Sequence, residues 1–248
     1  MKILTTRHSL PSSRLLADAL TSRGVFGRVL VTVHPERILS QDFIRYGCSA
    51  PVGVQDTAYN PADFVRLCSD KLQFSRLMSE HDVYTPEYHR ETPDDFSSPI
   101  MIRSTLWGSK GRGISVVDNE QDFRQVFSSG FYWTPFRDLQ FELRVHVLGG
   151  SVSRIFRKEL SETMQYPIRN NDSCHFALKP TSEYPKLTSL VDSLWQIPEV
   201  SVGKFCTMDV AWDTRIKKYF LIEMNSGSGL NDNTASVYAE YLAQEMGQ

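Results

Sequence analysis

Residues 219–230 read YFLIEMNSGSGL, an apolar run that holds a carboxylate and an amide and then ends in serine and glycine. Side chains alternate between the two faces of a strand, so Glu223 and Asn225 are predicted to share one face with Leu221. The residues predicted on the opposite, apolar face are Phe220, Ile222 and Met224. The segment therefore predicts a buried strand that presents a polar pair near its end.

The preceding residues, FCTMDVAWD, predict a partner strand, so the two segments form a hairpin. Asp209 lies directly opposite Glu223 if the hairpin loop has an odd number of residues. A three-residue loop at 215–217 meets that condition and sets Trp212 against Phe220. The pattern therefore predicts two carboxylates facing each other across a strand pair.

Two facing carboxylates repel each other, which is a net cost for a bare sheet. A bound cation would remove that cost, because carboxylate and amide oxygens are hard ligands of the kind that hold Mg²⁺. On these residues alone, two interpretations stay open for Asp209, Glu223 and Asn225: a metal site, or a polar strand surface that faces solvent.

Composition limits the classes of function. The chain has 248 residues and a formal net charge of −2, which argues against a general binder of polyanions. No apolar run is long enough to cross a membrane, and the start of the sequence does not resemble a signal peptide. Four cysteines without CxxC spacing argue against a disulfide framework or a zinc site. We therefore expect a reduced cytoplasmic protein.

The first third of the chain predicts a small α/β unit. KILTT and RVLVTV are predicted strands, and PSSRLLADALTSRG between them is a predicted helix that ends near Gly24. Further on, we predict a helix over 70–81, a helix capped by Asn119, and a hairpin that turns at Gly149-Gly150. Because strands and helices then mix without strict alternation, we expect α+β lobes after the α/β unit.

Two further stretches carry candidate binding residues. RSTLWGSKGRGISVV places three glycines between two strands and interleaves them with basic residues, which suits either a loop that folds over phosphates or the tip of a hairpin. It is not a P-loop, because Ile114 stands where the lysine is required. In FELRVHVLGG, alternation predicts a polar face of Glu142, Arg144 and His146.

Taken in order, these motifs resemble the ATP-grasp superfamily, which includes D-alanine–D-alanine ligase, glutathione synthetase and the ribosomal-protein glutamate ligases. The chain shows DKLQF before a helix, IMIRS with a glycine-rich loop, GISVV, FELRVHVLGGSV, MDV and LIEMNSGSGL. The resemblance runs from about residue 60 to the C-terminus. YGCSAP, ELRVHV, IRN and EMNSGSGL are most similar to small ATP-grasp proteins encoded by bacteriophages.

The resemblance implies roles for individual residues. Asp209, Glu223 and Asn225 match metal ligands that bind Mg²⁺ or Mn²⁺ between ATP phosphates. The glycine-rich stretch from Gly108 to Gly113 matches a flexible phosphate lid. The further positions that match nucleotide-binding residues are Lys71, Arg103, Lys110, Gly111, Gly113, Tyr132, Trp133, Thr134 and Glu142. Those that match catalytic positions near the γ-phosphate and acyl group are Arg157, Lys158, Arg169 and Asn170.

Within the nucleotide-binding set, 131–134 would be the hinge whose backbone contacts adenine, and Glu142 would bind ribose. Arg103 stands where most members of the superfamily have lysine, which keeps the charge and changes the geometry.

The resemblance also implies an architecture and an activity. We expect an N-terminal α/β unit over 1–67, followed by an ATP-grasp fold of two α+β lobes that clasp the nucleotide, over 68–134 and 135–248. The implied activity is an ATP- and Mg²⁺-dependent ligase that joins a small-molecule or peptide carboxylate to an amine through an acyl phosphate.

Two alternatives stay open: a small-molecule kinase on the same fold, and a nucleotide-binding protein without catalysis. We expect no nucleic-acid or membrane partner, and a location in the cytoplasm, which is the host's if a phage encodes the chain.

Overall fold

The computed structural model describes residues 1–25, 28–31, 43–50, 58–105, 113–137, 139–161 and 174–247. Its strands are β1 Lys2–Thr5, β2 Arg28–Val31, β3 Phe43–Tyr46, β4 Ile100–Arg103, β5 Ile114–Val117, β6 Tyr132–Pro135, β7 Glu142–Leu148, β8 Ser151–Leu160, β9 Cys174–Lys179, β10 Phe205–Asp213 and β11 Lys218–Asn225. Its helices are α1 Leu10–Thr21, α2 Ala62–Ser69, α3 Lys71–Glu80, α4 Glu120–Val126, α5 Pro185–Leu194, α6 Pro198–Ser201 and α7 Asp232–Glu245. None of the described helices is both long and apolar enough to span a membrane.

The N-terminal unit is a parallel sheet in the order β2-β1-β3. The predicted strand–helix–strand opening is confirmed, and β3 is an additional strand that sequence patterning did not indicate. Helix α7, from the far end of the chain, packs on α1, and the two share a core that includes Leu16, Leu20, Tyr238 and Leu242. The N-terminal unit is therefore completed by the last helix.

The small lobe is an antiparallel sheet in the order β5-β4-β6, covered by α4. Its core contains Ile100, Ile102, Val117 and Phe123. The predicted cap is confirmed, because the Asn119 side chain accepts a hydrogen bond of 2.8 Å from the backbone amide of Asp122. The predicted unit boundaries after residues 67 and 134 fall inside α2 and β6, and the division into three units stays a prediction.

The large lobe is an antiparallel sheet in the order β11-β10-β7-β8-β9. Its back face, defined by Leu143, Val145, Val147, Met208 and Val210, packs with residues of α2, α3 and α5 into a large apolar core. The opposite, front face carries Glu142, Arg144 and His146, as alternation predicts. Strand β9 is a further element that sequence patterning did not indicate.

The β10–β11 hairpin differs from prediction at its loop end. Asp209 does pair with Glu223, as predicted, but Trp212 pairs with Tyr219 and not with Phe220. The loop between the paired ends has four residues, 214–217, because Asp213 pairs with Lys218. A β-bulge at Ile222 adds one residue to β11 and restores the Asp209–Glu223 pairing. The prediction that this pairing requires a loop with an odd number of residues is therefore wrong.

The bulge also changes which side chains share a face. Leu221 packs with Met224 in the core on the back face, while Phe220 and Ile222 form a small cluster with Ala211 on the other side. The cause lies in a distant segment. The amide of Leu221 donates to the carbonyl of Tyr84 at 2.9 Å, and the Thr85 hydroxyl donates to the Leu221 carbonyl at 2.8 Å.

The glycines that end the segment 219–230 fit a close backbone contact. Gly47 follows β3 with φ of +65°, and a Cβ placed on Gly227 would lie 2.7 Å from the Gly47 Cα. No side chain can occupy that space. Neighbouring hydrogen bonds fasten the same contact, since Tyr46 donates its hydroxyl to the carbonyl of Ser228. The serine–glycine ending therefore joins the N-terminal unit to the large lobe.

Candidate functional site

The registers of the large sheet bring charged side chains together in rows on its front face. Glu223, Asp209 and Arg144 are paired across β11, β10 and β7. In the next row, Glu142 on β7 pairs with Lys158 on β8. Directly paired residues in an antiparallel sheet point to the same side, so these five side chains form one cluster.

Asp209 is the centre of this cluster and is almost fully buried. Arg144 donates to both of its oxygens, from Nε to Oδ1 and from Nη2 to Oδ2, each at 2.9 Å. Lys158 donates from Nζ to Oδ2 at 2.6 Å and also forms an ion pair with Glu142. Burial alone would raise the pKa of Asp209, but the charges of Arg144 and Lys158 outweigh it and hold the pKa well below its usual value.

Glu223 is more accessible and is held by two neighbours. Lys71, the first residue of α3, places Nζ 2.7 Å from Oε2, and Asn225 donates from Nδ2 to Oε1 at 3.1 Å. Burial raises the pKa of Glu223, and so does the Asp209 charge, but the charge and hydrogen bond of Lys71 together with the Asn225 hydrogen bond outweigh both. The net pKa lies below the usual value, so Glu223 is ionised near neutral pH.

Helix geometry places Lys71. The Asp70 side chain caps α3 by accepting from the backbone amides of Leu72 and Gln73, each at 3.0 Å. The cap fixes the first turn, which directs the Lys71 amine to Glu223. The DKLQF motif thus combines a helix cap with a positioned cation.

The donor atoms near Asp209 fit a hard cation. Asn225 gives its amide hydrogen to Glu223, and its carbonyl oxygen remains as a ligand atom beside the Glu223 carboxylate. Asp209 is less accessible, since Arg144 and Lys158 engage both of its oxygens. Among the described residues, no group of three or more His, Cys, Asp and Glu side chains is placed to hold a metal. Any cation here would rely on two carboxylates and an amide.

Arg103, at the end of β4 in the small lobe, lies near the same two tyrosines as Glu223 of the cluster. It pairs with Tyr132 on β6. Burial raises the pKa of Tyr132 and of Tyr88, and the charges of both Arg103 and Glu223 also act on each hydroxyl. The Nε of Arg103 is buried and has no hydrogen-bond partner among the described residues. An unpartnered buried donor at this place suits an anionic group.

The base of the predicted phosphate lid has a backbone that requires glycine. Gly113 has φ of +71°, a Cβ there would collide with the Ser104 hydroxyl, and its carbonyl accepts a 2.9 Å hydrogen bond from the Ser104 amide. Lys110 and Gly111, together with Arg169 and Asn170, lie outside the described residues.

Two residues of the predicted set are not brought into the cluster. Arg157 pairs with Leu143 on the back side of the sheet, where its guanidinium lies 5.5 Å from the ring centre of Phe141. Trp133 exchanges both backbone hydrogen bonds with His89 at 2.9 Å, so its backbone is not free to contact adenine. The adenine contact predicted for the backbone of 131–134 stays a prediction, and within that segment the Trp133 amide and carbonyl are paired with His89. Thr134 is buried in the same strand.

Sequence reasoning missed the role of Arg144. Alternation placed it on the polar face, but only the β7–β10 register shows that it meets Asp209. His146, two residues on, is also buried, and its Nδ1 lies 2.9 Å from the Tyr238 hydroxyl. Burial and then the Arg144 charge lower the pKa of His146 to about 4. This histidine is therefore neutral near neutral pH.

Comparison with known proteins identifies the fold. No protein-family model matches the chain, and neither does any curated protein sequence. Among solved structures, it is similar to D-cycloserine synthetase DcsG, with a TM-score of 0.71, 14% identity, and 99% of each chain covered. D-alanine–D-alanine ligase from Bacillus anthracis matches with a TM-score of 0.68 at 12% identity, over 99% of this chain and 96% of that one.

A RimK domain protein ATP-grasp from Sphaerobacter thermophilus also matches, with a TM-score of 0.65 at 15% identity, over 97% of this chain and 99% of that one. The chain has the ATP-grasp fold, as the sequence predicts. At these identities the likeness establishes the fold alone. One similar ligase was solved with ATP and another, PsnB, with Mg and ADP.

Proposed function

We propose that this protein is an ATP- and Mg²⁺-dependent ligase that joins a carboxylate to an amine. The observation that carries the proposal is the grouping, on an ATP-grasp fold, of Asp209, Glu223 and Asn225 with the Lys71 amine, which lies 2.7 Å from Glu223. The similar solved structures are ligases, which supports the same reaction class. The substrates, the acyl phosphate and the resemblance to phage proteins are parts of the proposal.

The nucleotide would lie between the front face of the large sheet and the small lobe. Arg103, whose Nε has no partner in the described part of the chain, and Lys71 would bind phosphate oxygens. Glu142 would accept hydrogen bonds from ribose, as the resemblance implies. Glu223, Asn225 and Asp209 would hold Mg²⁺, which when bound would neutralise phosphate charge, while the γ-phosphoryl group transferred to the carboxylate would come from ATP and leave ADP.

The chain's own residues would act mainly by positioning. Arg144 holds the Asp209 carboxylate in one orientation through two hydrogen bonds, and Lys158 links it to Glu142. Lys158 would have a positioning role, because it is 4% exposed and both of its partners are carboxylates. Chemistry of this kind needs alignment and electrostatic stabilisation more than a protein nucleophile.

A single assay tests this function and separates its rivals. The protein is incubated with ATP, Mg²⁺ and pools of amino acids, peptides and nucleotides, and ADP release is measured with mass spectrometry of the products. A ligase gives free phosphate and an amide. A kinase gives a stable phosphoester, and a non-catalytic binder gives no ADP.

The matched control uses a glutamate of the same sheet. Glu159→Gln changes a carboxylate on β8 that pairs with His175 and Lys179 away from the cluster. It should keep full ADP release, whereas Glu223→Gln should abolish it. If both variants turn over like the parent protein with a verified substrate, the proposed metal site is wrong.

A further inference from the structure

A second cleft, of about 450 Å³, lies at the loop end of the β10–β11 hairpin. Trp212 and Tyr219 form one wall, with their ring centres 5.0 Å apart. Leu190 and Ile197, from α5 and the segment after it, form part of another wall. Tyr219, Leu190 and Ile197 also pack against the back-face core. The cleft is therefore separated from Asp209 by the sheet itself.

The rim of this cleft is basic. Lys186, Lys217 and Lys218 all line it, and Asp82 is the one carboxylate among the described residues that line it. None of the three lysines forms an ion pair with a carboxylate within the part of the chain that the structure describes. The Lys186 amine lies 5.4 Å from the centre of the Trp212 ring, so a cation already sits above the aromatic wall.

Size and chemistry together indicate the ligand. Pockets of roughly 300–1,000 Å³ are typical of small-molecule sites that combine apolar walls with a few placed polar groups. Flat aromatic walls favour a flat apolar body, and unpaired ammonium groups favour an anion. We propose that this cleft binds a small organic anion with a flat apolar body, of the aromatic carboxylate class, separately from the nucleotide.

One wall of the cleft also contacts the structure around the candidate active site. Tyr84 lines the cleft and donates its hydroxyl to Asp213 at 2.8 Å. Its carbonyl accepts the Leu221 amide at 2.9 Å, next to the bulge at Ile222 that precedes Glu223. A ligand held against Tyr84 would stabilise this hydrogen bond, so exchange of the Leu221 amide should slow when the cleft is filled.

Paired probes test the charge requirement. Binding of naphthalene-2-carboxylate and of naphthalene-2-carboxamide, which share a body and differ in charge, is measured by titration calorimetry in the presence of saturating ATP analogue and Mg²⁺. We expect the amide to bind roughly tenfold more weakly, since several partly exposed ion pairs each contribute modestly. Lys186→Gln with Lys218→Gln should weaken carboxylate binding by a similar factor.

The control is Lys204→Gln, a surface lysine that pairs with Glu245 far from the cleft and should leave binding unchanged. Equal affinity for acid and amide, or no loss in the double lysine variant, would overturn the proposal. So would displacement by the ATP analogue, which would put the anion in the nucleotide site, or tighter binding of a glutamate-rich peptide. If the protein binds the carboxylate but not ATP, the result would support the proposal for the cleft. It would count only against the proposal that the protein is a ligase.

Discussion

The two faces of the large sheet are both buried, but they are built from opposite chemistry. The back face presents Leu143, Val145 and Val147 to an apolar core. The front face buries Glu142 and Asp209 among cations. Burying apolar area stabilises folding, whereas a buried ion pair roughly breaks even or costs free energy against an apolar replacement. The back face therefore contributes most to stability, and the proposed function gives a reason for the front face, which is binding and chemistry.

The largest effect should come from the front face. Glu223→Gln keeps the shape of the side chain and removes the charge that faces Asp209 and Lys71. We expect ADP release to fall about 1,000-fold or more, because a positioned charge near the transferred phosphate is lost. The melting temperature should stay close to that of the parent protein. A variant that instead unfolds would show that the front face carries stability, which would break the comparison.

The converse substitution lies on the back face, one residue along β7. Leu143→Ala creates a cavity in the core and should lower the free energy of unfolding by roughly 2–5 kcal/mol, as measured by urea denaturation. The affinity of the folded fraction for an ATP analogue should not change, because the side chain points away from the cluster. Loss of nucleotide affinity at full stability would show that the two faces are not separable.

A smaller effect concerns His146, which is on the front face and faces Arg144, Arg154 and Asp209. Its pKa is about 4 in the folded protein, against an ordinary value of about 6.5. Between these two pKa values His146 binds a proton in the unfolded chain but not in the folded protein. The free energy of unfolding therefore falls as the pH drops from about 6.5 towards 4. Between pH 7 and pH 5 the loss should be about 2 kcal/mol.

His146→Asn supplies the comparison for that measurement. Urea denaturation at pH 7 and pH 5 should give a markedly smaller difference in the variant than in the parent protein. Asp209 and Glu223 do not contribute to this difference. Because their pKa values are lowered, the stability that they contribute is lost only at more acidic pH. Equal pH dependence in both proteins would show that His146 is not the responsible group.

The smallest effect tests the hairpin register. A double-mutant cycle over Trp212→Ala and Tyr219→Ala should give a coupling of roughly 0.5–1.5 kcal/mol, because the two rings are cross-strand neighbours. The cycle over Trp212→Ala and Phe220→Ala should give none, since Phe220 packs on the other side with Ala211. Coupling to Phe220 in place of Tyr219 would restore the register that the sequence predicts.

Local patterns predicted much of this fold. The Asn119 cap and the glycine turn at 149–150 follow from short-range rules of capping and turn geometry, whereas the predicted pairing of Asp209 with Glu223 is correct only because a bulge offsets the longer loop. What the sequence could not predict depends on distant partners. The bulge at Ile222 accompanies two hydrogen bonds of Leu221, one donated to the Tyr84 carbonyl and one accepted from the Thr85 hydroxyl, and no pattern near residue 222 encodes them.

The candidate site shows the same division. The candidate metal ligands can be predicted because their spacing and the superfamily motifs that contain them are local features of the sequence. Alternation predicts the face of Arg144 but not its partner, and the resemblance implies a catalytic position for Arg157 although alternation places it on the opposite face from its neighbour Lys158. The pairing between strands determines both the partner of Arg144 and the face of Arg157, and this pairing cannot be read from a single sequence.

The packing of α7 on α1 has a consequence for how the protein is made. The apolar side of α1, with Leu16 and Leu20, is completed by Tyr238 and Leu242 of α7. Ribosomes add roughly 5–20 residues per second, so some 10–40 s separate the emergence of the first helix from that of its partner. During that interval part of the apolar core of the N-terminal unit is exposed to solvent. The apolar side of α1 is thus accessible to chaperones until α7 has been synthesised and packs on it.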